Sequence, residues 1–232
     1  QVMKNFYAVY SNKRKANFLV QNYVSLEMLV EKEMIKFIIG VPKDYVDTVE
    51  KNVSSFYPGA VIDYIDQPKL LDAGKYVGGG TFKLSKKDTF PIKTYESFEA
   101  DPMESLISAF SRVDNEEKLC LQILLAPVSE KEQQNMRKAI DDIKEGKKKE
   151  TFWSMLKNIK PKSEKKEDKP EKKNTKYSSQ QMGDLDKKTE DELYNVTIKA
   201  LATSPHPHRI DIILNDLRSE ERRVGKECLR LC

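Results

Sequence analysis

The sequence is poor in the residues that mark several protein classes. Three cysteines are too few for a disulfide scaffold. Nine glycines and ten prolines exclude collagen-like and glycine-rich architectures. Two histidines leave little material for a histidine-based nucleophile or metal centre. Long apolar runs are missing too: the best, residues 119–128, is interrupted by Gln122 and falls well short of the ~20 residues that cross a bilayer. Mean hydropathy is −0.66, with 38% hydrophobic and 34% charged residues, which predicts a soluble globular chain. Its 232 residues suffice for one large or two small domains.

Charge is present but unevenly placed. Of the formal +4, residues 144–176 carry +7, from 13 lysines against 6 acidic groups, and the last fifteen residues carry +2, which leaves −5 on the rest. A protein that grips nucleic acid through its fold should show a basic face on that fold. Here the basic character belongs to one segment and a tail.

That tail, Arg218-Ser-Glu-Glu-Arg-Arg-Val-Gly-Lys-Glu-Cys228, resembles the translation of a sequencing adapter; the alternative is a genuine basic amphipathic tail. On the first reading residues 218–232 are a non-native tail outside the fold, and Cys120 is the one native cysteine, a small buried hydrophobe suited to a reducing compartment. The start is equally abrupt, with Val2, Phe6 and Val9 at helical spacing, so the expectation is a piece of a longer gene.

Periodicity predicts the elements between these ends. Residues 21–30 alternate, with Val24, Leu26, Met28 and Val30 on one face, and residues 34–41 follow a charged turn, giving a hairpin. Pro42 fits the first position of a helix striped by Val46, Val49, Val53 and Phe56, and Pro58-Gly59 stops it. Residues 60–65, 75–86 and 90–95 read as strands. Asp101-Pro102-Met103-Glu104 opens a helix with Met103, Leu106, Ile107 and Phe110 facing the core. Residues 118–128 read as a central strand. Ser129 and Glu132 form a capping box for a helix ending near Gly146. Beyond it, residues 147–181 have the composition of a solvated connection, relieved by Phe152, Trp153, Leu156 and Ile159. Folded patterning resumes with a strand at 193–203 and a helix at 205–217 bearing Ile210, Ile213, Leu214 and Leu217.

Three strands end at a proline near a helix start: Ile38-Ile39-Gly40-Val41-Pro42, Ile123-Leu124-Leu125-Ala126-Pro127 and Ala200-Leu201-Ala202-Thr203-Ser204-Pro205. This rhythm predicts the α+β class, as ferredoxin-like split β-α-β units in an antiparallel or mixed sheet. Residues 1–146 form the first α+β domain, 147–187 a charged flexible linker, and 188–217 the truncated start of a second α+β module.

The search for chemistry returns little. No P-loop pattern occurs, and Gly78-Gly79-Gly80 runs into the strand-like Thr81-Phe82-Lys83-Leu84, which suits a bulge or sheet edge better than a phosphate cradle. His206 and His208 flank Pro207 without a third ligand nearby, so they read as exposed turn histidines. Asp101 with Glu104 is explained by capping, and Asp141 with Asp142 by a polar helix face. The 19 Tyr and Phe residues fall at core spacing and give no support to a base-stacking platform. No catalytic residue, cofactor or metal is expected. The functional candidates are Lys147, Lys148, Lys149, Lys165, Lys166, Lys172 and Lys173, as contacts for an anionic partner, although a solvated linker is the default for such a run.

From residue 1 to Gly146 the motif order resembles the N-terminal region of bacterial type IV secretion or conjugative-transfer ATPases, of the FtsK/HerA-like motor class. The resemblance is carried by Gln1-Val-Met at a helix start, Val24-Ser-Leu-Glu-Met28, Phe37-Ile-Ile-Gly-Val-Pro42, Phe56-Tyr-Pro-Gly-Ala60, Phe90-Pro-Ile-Lys-Thr94, Phe98-Glu-Ala-Asp-Pro-Met103 with Leu106, and Leu121-Gln-Ile-Leu124. Residues 193–217 resemble the start of the next module. These are packing and turn motifs, with no catalytic signature among them. The resemblance implies a non-catalytic docking or assembly region ahead of a P-loop motor, cytoplasmic and at the inner face of the membrane, held there by an upstream segment. It implies self-association or contact with other secretion-machinery subunits, with DNA reached only through the full-length protein or the lysine-rich linker. Two alternatives come from other classes: a stand-alone nucleic-acid-binding protein using the lysine-rich segment, and a peripheral membrane adaptor.

Overall fold

A computed structural model describes residues 23–65, 68–84, 88–89, 101–144, 183, 185, 187–188, 190, 192–224 and 229–231. They divide into a unit built from residues 1–128 and 192–232, and a second unit of residues 129–191.

The first unit is built on an antiparallel sheet. Strands β1 (Val24–Glu31) and β2 (Met34–Gly40) form the predicted hairpin, closed by Lys32 and Glu33 at φ 52° and 61°. Two successive left-handed residues make a type I′ turn, whose twist matches that of the strands. A 3₁₀ turn, Lys43–Tyr45, leads into helix α1 (Val46–Phe56); Pro42 stands just before that turn, extended at ψ 147°, rather than within the helix. Strand β3 (Tyr76–Leu84) is followed by helix α2 (Pro102–Phe110), β4 (Lys118–Pro127), β5 (Tyr194–Ser204), helix α4 (Pro207–Val224) and β6 (Leu229–Leu231). Helix α3 (Glu130–Lys144) belongs to the second unit.

Strand order is β2-β1-β4-β5-β3-β6. Since β3 and β4 each pair antiparallel with β5, they are parallel to one another with β5 between them, so β3-α2-β4 is a split β-α-β unit. By the same reasoning β5 and β6 flank β3, and β5-α4-β6 is a second one. Two interlocked split units make the ferredoxin-like arrangement, with the β1–β2 hairpin added on the outer edge of β4.

The α+β class is as predicted, but the boundary drawn at residue 188 is corrected. Residues 194–204 lie between β4 and β3 in the same sheet, in register from Lys118↔Thr203 to Pro127↔Tyr194. They complete the first domain rather than opening a second. The backbone N–H of Val128 donates to the carbonyl of Leu193 at 3.0 Å, so the end of β4 and the approach to β5 meet at one point of the sheet. The described residues after 217 are likewise part of the fold. Residues 218–224 continue α4, and Leu229–Leu231 pair with Phe82–Leu84.

Helices α2 and α4 cover one face of the sheet. Val30, Leu119, Leu121, Ala200, Ala202 and Phe82 meet Ala109, Phe110 and Val113 from α2 and its exit, and Ile210, Ile213 and Leu217 from α4. Each buried Leu, Ile or Phe there contributes about 1.5–3 kcal/mol relative to exposure. Asp101 caps α2 as predicted, accepting the N–H of Met103 at 2.8 Å with Pro102 at the first turn. Ile107, predicted to face the core, is 45% exposed. The strand predicted at 60–65 is irregular: Val61 and Tyr64 are 89% and 67% exposed, and among the described residues no strand pairs with them to satisfy a ladder. The predicted strand at 90–95 and the N-terminal helix lie outside the described residues.

In the second unit, the Ser129–Glu132 capping box is present. Ser129 Oγ donates to Glu132 Oε2 at 2.7 Å, and the Glu132 N–H donates back to Ser129 Oγ at 3.4 Å. Glu132 also accepts the Ser129 N–H at 3.1 Å, and these bonds hold its carboxyl below the usual range. Ile140 of α3 is buried. Residues 183, 185 and 187, placed in the flexible linker by composition, are helical, and Leu185 is buried, an apolar anchor that the surrounding charge concealed.

Candidate functional site

One polar cluster of the first unit lies at an end of the sheet, in a cleft lined by Glu33 of the hairpin turn, Asp114–Glu117 between α2 and β4, and Pro205, His206, His208 and Arg209 at the start of α4. Its base is the buried carboxylate of Glu117, 3% exposed. Glu117 Oε1 accepts from Arg209 Nε at 2.8 Å and Ser204 Oγ at 3.0 Å. Oε2 accepts from Arg209 Nη2 at 2.8 Å and the Asp114 N–H at 3.1 Å. These donors, the Arg209 fork above all, outweigh the cost of burying the charge and hold the carboxyl at a pKa of about 2.

Local structure explains why these groups meet. The backbone turns at Asp114–Glu117, with the Glu117 N–H donating to the Asp114 carbonyl at 2.9 Å. Across the sheet, Ser204 ends β5 and its Oγ accepts the His206 N–H at 3.1 Å, setting up the first turn of α4. That turn presents Arg209, which also donates to the Arg112 carbonyl at 3.1 Å and to Asp114 Oδ2 at 3.3 Å. Arg112 and Asp216, 3.5 Å apart, link the same two elements further along.

His206 and His208 sit on the rim, exposed as predicted, with ring centroids 5.8 Å apart. Around them stand the exposed Glu33, Asp114, Asn115 and Glu116, with Asn115 Nδ2 donating to Glu33 Oε1 at 2.7 Å. Among the described residues, no group of three or more His, Cys, Asp or Glu could hold a metal ion. Chemically the cleft can bind; the buried acid at its base is ionised and fully engaged by donors.

A second cluster lies on the sheet face opposite α2 and α4. The Lys118 ammonium donates to the Lys69 carbonyl at 2.8 Å and Asp72 Oδ1 at 3.2 Å, and pairs with Glu31 Oε1 at 2.9 Å. Burial opposes the charge on Lys118, but Glu31 and Asp72 outweigh it and raise its pKa; both carboxyls are lowered in return. Lys75 adds a bond to Asp72 at 3.3 Å and one to the Glu116 carbonyl at 2.6 Å. These bonds fasten the loop between α1 and β3 to the sheet.

The middle strands present Val77, Gly79, Thr81 and Lys83 of β3, and Thr197, Lys199, Leu201 and Thr203 of β5, on that face. None is aromatic, so the described central strands offer no platform for stacking bases. Gly78-Gly79-Gly80 form regular β3 ladder positions rather than a bulge. A Cβ on Gly78 would lie 2.3 Å from Ile210 Cγ2, so the absent side chain is what lets α4 pack so closely. Cys120 is buried, and burial pushes its thiol up to about 12, far from a reactive thiolate. Asp101 and Glu104 stand at the α2 start, and Asp141 and Asp142 on α3, as the sequence implied.

Lys147, Lys148, Lys149, Lys165, Lys166, Lys172 and Lys173 lie outside the described residues, as does the amphipathic island at 152–159. The Glu117–Arg209 and Lys118 clusters were missed in the sequence because they belong to no motif; Glu117 and Arg209 are 92 positions apart. Among the described residues, no helix is long and apolar enough to cross a membrane. Residues 8–218 match a family model described as "Domain of unknown function (DUF8128)". No curated protein and no solved structure matches the chain.

Proposed function

The chain belongs to the DUF8128 family, and we propose that it is a non-catalytic docking and assembly region of a membrane-associated type IV secretion or conjugative DNA-transfer motor ATPase. The carrying observation is how the buried polar groups are used. Glu117 and Lys118 are each held by at least three partners that fasten loops and helices to the sheet. That is the chemistry of a rigid scaffold whose outer surfaces serve partners. The motifs behind the resemblance support this: Val24–Met28, Phe37–Gly40 and Leu121–Leu124 fall on three neighbouring strands of one sheet.

On this reading the partners are further copies or other subunits of the secretion machinery, on the cytoplasmic side of the membrane. DNA is reached by the full-length protein or the lysine-rich segment. The deciding experiment is sequencing of the gene downstream of the stretch that encodes this chain. A Walker A motif downstream is expected; a stop codon shortly after that point overturns the proposal. A second reading, a stand-alone nucleic-acid-binding protein, draws on the +7 charge of residues 144–176. It requires DNA binding that weakens steeply with salt and vanishes when residues 147–176 are deleted.

A further inference from the structure

We draw no further inference here: the strongest candidate, the apolar outer edge of β2 with Phe37 and Ile39 exposed on one face, carries none because nothing in the structure shows what covers it.

Discussion

Arg209 grips the carboxylate of Glu117 with two parallel hydrogen bonds of 2.8 Å each, joining the entrance of β4 to the first turn of α4. The pair closes the ferredoxin-like half-sheet on itself. β4 belongs to the first split unit and α4 to the second, and the segment 129–191 intervenes in the chain. Breaking the pair from the arginine side leaves a buried anion with only Ser204 and the Asp114 N–H. Arg209→Ala should therefore destabilise the protein by about 3–5 kcal/mol, read from urea unfolding followed by circular dichroism. Arg209→Lys should recover only part of this, because an ammonium lacks the planar fork.

The same carboxylate sets an acid limit. Glu117 has a folded pKa of about 2 against an ordinary 4.5. A depressed folded pKa means that its stabilisation is complete above pH 4.5 and is lost as pH falls from there toward 2. The shift corresponds to about 3 kcal/mol at neutral pH. Urea midpoints measured from pH 7 down to pH 2 should fall across that window. Glu117→Gln should be less stable at pH 7 and should flatten the fall between pH 4.5 and 2. A Glu117→Gln protein with the parent's pH dependence would show that other carboxylates set the limit.

Lys118 makes the reverse prediction. Its pKa is raised by Glu31 and Asp72 despite burial, so its contribution is present below its unfolded value of 10.5 and is lost as pH rises through the folded value. Lys118→Met keeps the aliphatic stem but frees the 69–75 loop. The expected result is amide exchange faster by ~ten-fold or more in residues 69–75, with little change in β4, because the sheet ladder is untouched. Uniform loss of protection over the whole sheet would contradict a local fastening role.

Much of this framework was legible in the chain because its signals are local. The charged turn between two alternating runs, the Asp101-Pro102 cap and the Ser129–Glu132 box each lie within a few residues. What sequence could not show was non-local pairing. β5 lies beside β4 in space, but residues 129–191 separate them along the chain, so the strand–helix pattern at 193–217 reads as a new beginning. Residues 60–65 failed for the opposite reason: their apolar content met the local criterion for a strand, but no described strand pairs with them. The Glu117–Arg209 and Lys118 clusters left no spacing to detect, since their members come from separate elements.

Gly78 should be intolerant of even a methyl group. Its added Cβ would stand 2.3 Å from Ile210 Cγ2, the stiff branched atom of a side chain already packed in the core. Gly78→Ala is expected to cost about 1–3 kcal/mol by pushing α4 away from β3. In a double-mutant cycle, Ile210→Ala should absorb much of that cost, since it removes the colliding atom. Gly59, whose Cβ would meet nothing within 4 Å, is the control, and Gly59→Ala should be close to neutral.

The hairpin turn offers a gain in stability. Lys32 and Glu33 both sit at positive φ, where L-residues other than Asn, Asp and Gly are disfavoured. Replacing them with Asn-Gly supplies the pair that a type I′ turn favours. K32N/E33G removes the Asn115 bond to Glu33, an exposed contact of small value, while relieving two left-handed residues. The net effect should be a gain of about 1 kcal/mol, seen as a Tm increase of roughly 2–4 °C. Lys32→Asn alone should give part of the increase. A decrease in Tm would mean that the Glu33–Asn115 contact, and not the turn backbone, dominates at this corner of the sheet.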